Sequence, residues 1–549
     1  MVIHLGHHLS SHRRAAFERE WLVTNGIGGY ACGTVGGART RRYHSYLTAA
    51  IHNPIRRYVL LAGLDVWLGI DQQRWPLTTH EWKAGVVFPD GYIHLERFDL
   101  DGTLPVWTWA IGMVRLQQRV WMHYGENTTY VTWTYERGRQ PITLYIKPLI
   151  TYRSHHDIGV GGAVVNVKAI SPRVDGQVNL AVFPSTYLGK LVAEEPPMPF
   201  YILAESGALY ANCDWWWNFH LAEERARGLS YEEDLFQVGT IEVELEVGET
   251  FSMVCALEPE TIQPWQESLE AEQARQKQLI SVVPFKQKPS WIEQLILAAD
   301  QFIVQDHNDG EALHIISGYP WFGVWGRYTM ASVSGLASEL GQQERARQIL
   351  LTFTRYLDRG MLPHHVADET GETSYDSIDA TLWYFVAIWN YWQKYPKDTE
   401  LLQQLYPVLA EIVEQYRIGA RYHIAQDPAD HLLYGGEEGI NLTWMDVKIN
   451  DYVVTPRVGK PVEVNALWYN ALCIMEQISK ILHLPEEARQ YGHWAKEVAE
   501  SFNALFWAES YGYLYDVIDT PTGNNDASLR PNQLLALSLP FPILEDRER

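Results

Sequence analysis

Cysteine is scarce. Cys32, Cys213, Cys255 and Cys473 are scattered over 549 residues without a C-x-x-C pair, so neither a disulfide framework nor a thiolate metal site is indicated. Positive charge is also short, with 44 Lys and Arg against 67 Asp and Glu and a formal net charge of −23. That balance repels nucleic acid and anionic membranes, and it suits a neutral substrate that needs no steering. Long apolar runs are missing too. The longest, 58–70, is interrupted by Asp65 and falls short of the roughly 20 residues a bilayer requires, so no membrane partner is expected. The opening MVIHLGHHLSSHRRAAFEREW has no apolar h-region, so no secretory leader is expected there, and a reducing cytoplasm is the expected compartment.

Cofactor signatures are equally thin. No G-x-x-x-x-G-K-[ST] or H-E-x-x-H occurs. Residues 25–47 contain G-x-G-x-x-A at Gly26, Gly28 and Ala31, but a dinucleotide fingerprint must open a helix. Gly29, Gly33, Gly36 and Gly37 follow, and that glycine density disfavours one. The stretch reads as a tight glycine-rich hairpin. His4, His7, His8 and His12 include pairs at helical spacing, without an apolar helical face or a companion carboxylate nearby. They read as solvated loop histidines, and the pair His364 and His365 shows no metal signature either. No metal and no cofactor are expected.

Aromatics are abundant: 22 Trp and 31 Tyr. Most must fill core. A surplus suits sugar, because the C–H faces of a pyranose stack on flat rings.

The chain divides by pattern. TIEVELEVGETFSMVCAL (240–257) alternates, turns at Gly248 and continues as a second strand. Residues 127–152 repeat the design around Gly138, and 164–170 and 178–183 read as further strands. Strands with short turns and no intervening helices predict an antiparallel β-sandwich over 1–262. A linking helix is expected within 263–288. Helical periodicity then dominates 289–549, with segments near 290–305, 327–340, 342–358, 377–395, 398–419, 462–482, 485–507 and 531–538. Paired helices of this kind pack as hairpins, and a closed ring of them is an α/α toroid with its site at the mouth. The expected class is thus α+β multidomain, a sandwich followed by an (α/α)6 toroid. Six hairpins need twelve helices and about eight are legible, so the ring is expected to be incomplete at its C-terminal end. Patterning does not fix an oligomeric state.

Carboxylates in the second half carry the chemistry. Asp376, Asp379 and Glu463 lie near helix starts, where acids often only cap or complement the dipole. Asp446, in LTWMDVKIND, sits away from a clean helix start. Desolvation beside Trp444 is expected to raise its pKa, as a general acid requires. Loops rich in Trp, Tyr, Gly and acids suggest glycoside processing.

Several blocks then resemble the amylo-α-1,6-glucosidase family of bacterial and archaeal glycogen-debranching proteins: EWLVTNGIGGYACGTVGGARTRRYHSYL, RARGLSYEEDLFQVG, GYPWFGVWGRYTM, LLTFTRYLDRGMLPHH, SIDATLWYF, LTWMDVKINDYVVTPRVGKPVEVNALWYNAL and RPNQLLALSLP. The resemblance implies inverting, cofactor-free hydrolysis of α-1,6-linked glucose stubs on glycogen or another branched α-glucan. It implies Asp446 as the general acid, with Trp444 walling its site. Arg327 matches the arginine of W-G-R-D-T, which holds hydroxyls of the released glucose, and Trp325 lines the same pocket. Asp379, Trp383 and Glu463 match positions near the cavity. Two departures stand out. Tyr328 replaces the Asp after the arginine, and the chain stops before the segment expected to hold the catalytic base. A non-catalytic glucan binder or a degenerate relic is the alternative reading, and trehalase, glucoamylase or disaccharide phosphorylase chemistry is another.

Overall fold

The computed structural model describes residues 3–51, 56–170, 177–189, 196–284, 288–306, 310–367, 372–450 and 452–544. The chain forms two compact units, 1–310 and 311–549.

The first unit is built on two antiparallel sheets. One has nine strands, from Ile3–Gly6 at one edge to Val165–Ala169 at the other, and the second has twelve. Alternation explains the pairing of faces, since successive strand residues point to opposite sides. Val66, Leu68, Leu144 and Ile146 from one sheet and Val131, Trp133, Phe251 and Met253 from the other share a single core.

The strands around Gly138 and Gly248 do not form local hairpins. Thr128–Arg137 pairs with Thr250–Ala256 in the nine-stranded sheet, while Ile142–Ser154 pairs with Thr240–Leu245 in the twelve-stranded one. Both chains therefore cross between the sheets side by side, joined by Tyr135 N–H to Glu249 O at 2.9 Å and Gly248 N–H to Tyr135 O at 2.8 Å. Each strand needs a buried face, and crossing provides one in either sheet.

The glycine-rich stretch is a hairpin, with Glu20–Thr24 paired to Tyr30–Thr34 and no helix after it. Gly26 has φ of 74° and a Cβ there would lie 2.3 Å from the Tyr124 ring, so both conformation and space require glycine. The N-terminal histidines depart from the loop expectation. His4 lies on a strand with Nδ1 2.6 Å from Asp99 Oδ1, and His7 opens the one-turn helix His7–Ser10 with Nδ1 2.9 Å from Leu95 O. The companion carboxylate comes from a strand nearly a hundred residues away, invisible to local spacing.

Helix Trp265–Val282 lies on the outer face of the nine-stranded sheet. Ser268 Oγ accepts from Trp121 Nε1 at 3.1 Å, and Trp265 and Leu269 cover Trp121 and Tyr130. Arg275 joins it to helix Ser290–Gln301 through Asp300 at 2.6 Å. Both helices belong to the first unit.

In the second unit, alternate helices are neighbours. Gly326–Val333 packs on Ile378–Lys394, which packs on Val462–Ile481. Gln343–Thr354 and Thr399–Ile418 touch each other in a second row, and Pro485–Leu505 backs Val462–Ile481. Composition sorts the rows. The inner helices TLWYFVAIW and VNALWYNALCIM are buried almost all round, whereas QERARQILLTFT and PEEARQYGHWAKEV bury one stripe.

Buried polar groups on the inner row tie down the loops. Asn465 is fully buried, accepts from Leu433 N–H at 2.7 Å, and donates to Leu433 O at 3.1 Å and Pro461 O at 3.0 Å. Asn465→Ala leaves the Leu433 amide and carbonyl without those partners. It is expected to lower unfolding free energy by about 2–4 kcal/mol, read as a lower urea midpoint at unchanged slope.

Candidate active site

The three inner helices all begin with a residue singled out in the sequence: Arg327, Asp379 and Glu463 each occupy a first turn. The acids there complement the positive ends of the helix dipoles. Arg327 does not, and it is held instead by side chains from elsewhere.

Arg327 is 5% exposed. Its Nε donates to Asp379 Oδ2 at 2.8 Å and its Nη2 to Asp379 Oδ1 at 2.9 Å, a bidentate pair. Nη2 also reaches Ser377 Oγ at 3.1 Å, and Nη1 donates to Asp446 Oδ2 at 3.0 Å. Ser377 caps its helix by accepting from Ala380 N–H at 3.2 Å and donates to Asp379 Oδ1 at 2.7 Å. One residue thus starts the helix and orients the acid.

His364 completes the cluster. Its Nδ1 lies 3.1 Å from Asp376 Oδ1, and its Nε2 lies 3.4 Å from Arg327 Nη1 and 3.5 Å from Asp446 Oδ2. Gly326 lets this segment approach, for a Cβ there would stand 2.0 Å from Pro363 O, and its N–H bonds His364 O at 2.9 Å. Trp325 packs edge-on to His364 at 5.0 Å and lies 4.4 Å from His365 between ring centroids.

Electrostatics reverse the expectation for Asp446. Burial pushes its carboxyl up, but the His364 and Arg327 contacts outweigh burial and hold it below its ordinary range. For His364, burial pulls the imidazole down, and Asp376 and Asp446 together hold it above its ordinary value. Burial raises Asp376, but His364 dominates and brings it down to about 2.

A second network starts from Glu463. Arg457 grips both of its oxygens, Nη2 to Oε2 at 2.7 Å, and holds Asp516 through Nε to Oδ2 at 2.9 Å. Asn532 donates to Asp516 Oδ1 at 2.7 Å and accepts from Trp444 Nε1 at 2.8 Å. Glu463 is 1% exposed with both oxygens engaged. Arg457, Asp516 and Asn532 connect it by hydrogen bonds to Trp444. Burial pushes its carboxyl up against the pull of Arg457. Trp444 remains 45% exposed.

Tyr328 is 48% exposed, its ring 6.0 Å from that of Trp325. The carboxylate that offsets Arg327 comes from Asp379 on the next inner helix, so the Tyr at 328 leaves the guanidinium paired. Trp383 lies one turn after Asp379 on the same helix and is half-buried.

Among the described residues, Asp427, Asp430 and Asp519 have metal-ligating spacing. Lys460 Nζ sits among them at 2.8, 2.5 and 2.6 Å, where a cation would stand.

Residues 297–549 match the family described as amylo-alpha-1,6-glucosidase, and residues 19–252 match the N-terminal region of glycogen debranching enzyme. The chain belongs to the glycogen-debranching, amylo-alpha-1,6-glucosidase family. By family it is a glycoside hydrolase. Its fold is similar to that of a bacterial glucoamylase solved in complex with acarbose, with a TM-score of 0.54 at 10% identity over 93% of this chain and 71% of that one.

In this family member Arg327, Asp379, Asp446 and Trp325 meet around His364, while Trp444 and Glu463 belong to the second hydrogen-bonded network. In the sequence Asp376 reads as a helix-start acid and His364 as a histidine without a metal signature, and Arg457, Asp516 and Asn532 carry no local signal. The neighbouring histidines were visible in PHH, but nothing local marks a bond between positions 364 and 446.

The His364–Asp376 pair predicts two stability limits. A raised imidazole pKa contributes stability fully below the unfolded value near 6.5, lost as pH rises through the folded value. The lowered Asp376 contributes above its ordinary 3.8, lost as pH falls toward about 2. NMR of ring-labelled histidine is expected to show His364 titrating above 6.5, and Asp376→Asn is expected to move it down.

Proposed function

We propose that this chain hydrolyses α-1,6-linked glucose at the branch points of glycogen, with inversion, at the mouth of an (α/α)6 toroid whose inner ring includes the three inner helices. The observation that carries this reading is the shared guanidinium. Arg327 holds Asp446 at the start of an inner helix, where the Trp325 ring lies 5.0 Å from His364, 6.3 Å from Phe322 and 6.0 Å from the exposed Tyr328. The glucoamylase-like fold supports it.

In this reading Arg327, set by Asp379, meets hydroxyls of the terminal glucose, and Trp325, Trp383 and Trp444 line its path. Asp446 is the general acid. It is ionised in the free chain, and sugar that excludes water from its half-buried carboxylate raises its affinity for a proton. His364 supplies that proton. The Nε2–H bond of the imidazolium breaks, the O–H bond forms on Asp446 Oδ2, and the neutral ring keeps its Nδ1–H on Asp376. Asp446 then protonates the departing glycosidic oxygen. An inverting reaction also uses a second carboxylate, about 6.5–9.5 Å from the first, to activate water.

A glucan binder without turnover is the second reading. It is favoured by the depressed proton affinity of Asp446 in the free chain.

Incubation of the full chain with phosphorylase limit dextrin is expected to release glucose above a buffer blank. Asp446→Asn is expected to reduce the rate by about 10²–10⁴-fold. Retention on glycogen without glucose release establishes the binder instead.

The alkaline limb of kcat/KM is expected to follow His364, above 6.5. His364→Gln, which hydrogen-bonds but does not titrate, is expected to move that limb to lower pH. An unmoved limb removes His364 from the proton path.

A further inference from the structure

The outer face of the twelve-stranded sheet carries a second aromatic constellation, wholly within the first unit. Strand Arg57–Ile70 sends Val66 and Leu68 into the sandwich core. Asp65 and Trp67, on the alternate positions, face the other way. Asp65 is 1% exposed, and burying a carboxylate is costly unless it is paired and hydrogen-bonded. It accepts from Trp67 Nε1 at 2.9 Å, Lys147 Nζ at 2.9 Å and His80 Nε2 at 3.1 Å. The acid that interrupts the apolar run thereby fixes an indole and an ammonium on the outer face.

Both groups line an open groove of about 660 Å³, and Tyr145 and Tyr210 add two more rings to it. Trp67 stands opposite Tyr145 in the ladder, and Tyr145 stands opposite Glu242 on its other side. The three side chains therefore form a row across adjacent strands, spaced by roughly 4.8 Å. Arg74 stacks on Tyr145 with its guanidinium 3.7 Å from the ring centre. Tyr210 is 52% exposed. Thr240 Oγ1 engages the Asn212 carbonyl at 2.9 Å, which leaves the Asn212 amide N–H groups for a ligand.

The charges nearly cancel. Lys147 is matched by Asp65, and Arg74 and Glu242 carry opposite signs on the same groove. On a chain of net charge −23, this is a locally neutral patch of flat rings with donors and acceptors between them. An anionic polymer gains nothing from it, and a purely apolar segment would strand the Asn212, Arg74 and Glu242 groups. A neutral ligand with apolar faces and hydroxyl edges satisfies both.

We propose that this groove is a second α-glucan-binding site, one that holds a chain of the polymer without cleaving it. The choice of α-glucan among neutral polyhydroxyl ligands rests on the function proposed above, while the groove and its neutral lining do not. A second site raises retention on a polymer through effective concentration and leaves turnover of short substrates untouched.

Native electrophoresis of the full chain in gels with and without glycogen tests this, with Trp67→Ala and Tyr210→Ala as the groove variants. Wild type is expected to be retarded by glycogen. Each variant is expected to need about 3- to 10-fold more glycogen for equal retardation, with unchanged glucose release from a short singly branched oligosaccharide. Asp446→Asn is expected to be retarded like wild type, so an inactive site and an absent groove give different results. Wild-type mobility unaffected by glycogen, or wild-type retardation of both variants, overturns the proposal. Equal retardation by a β-linked glucan overturns the choice of ligand. If Trp67→Ala melts early, Tyr210→Ala at the exposed ring decides.

Discussion

A guanidinium taken out of water must have its N–H groups met, and Arg327 shapes the second unit through that requirement. Leaving it unpaired would cost several kcal/mol. Its partners Ser377 and Asp379 come from one helix start, His364 from the segment that leads to it and Asp446 from a later loop. Once they close on one side chain, the start of helix Ile378–Lys394, the His364 segment and the Asp446 loop share a fixed geometry. Gly326 follows from the same constraint, because nothing larger lets the Pro363 backbone pass so near the helix start.

Proton affinities in the cluster follow from this arrangement. Asp446 is half-buried, and burial alone would favour its neutral form. Two neighbouring donors reverse the balance. The tertiary environment therefore raises the proton affinity of the imidazole between Asp376 and Asp446 and lowers that of the Asp446 carboxylate. Tyr328 is accommodated for a related reason. The negative charge opposite Arg327 is supplied by the adjacent helix, so the position after the arginine is released to present a ring.

The first unit shows a buried acid used in a parallel way. Asp65, buried on the outer side of a fourteen-residue strand, accepts three hydrogen bonds, and the side chains it fixes lie on the same face, away from the core. Aromatic surplus in the composition thus divides between the sandwich interior, where Trp107 and Trp133 pack, and an outer face where Trp67, Tyr145 and Tyr210 line a groove.

Local periodicity was enough to read the helices near 377–395, 398–419, 462–482 and 485–507 and the strands near 128–137 and 250–256, because burial of one face or stripe leaves its period in the residues themselves. Ordered motifs were enough for the family. Strand partners were not legible: the chain at Gly138 and Gly248 has the same alternation whether it folds back on itself or crosses to the other sheet. Nor were the partners of Arg327, the sign of the Asp446 shift, or the Glu463–Arg457–Asp516–Asn532–Trp444 chain. These depend on which side chains meet across tens to hundreds of residues. Sequence by itself determined the elements and the chemical groups available to them, because those are set by neighbours along the chain. Tertiary structure alone decided which groups share a proton or a charge, because electrostatic coupling follows distance in space and burial, and neither is written in local spacing.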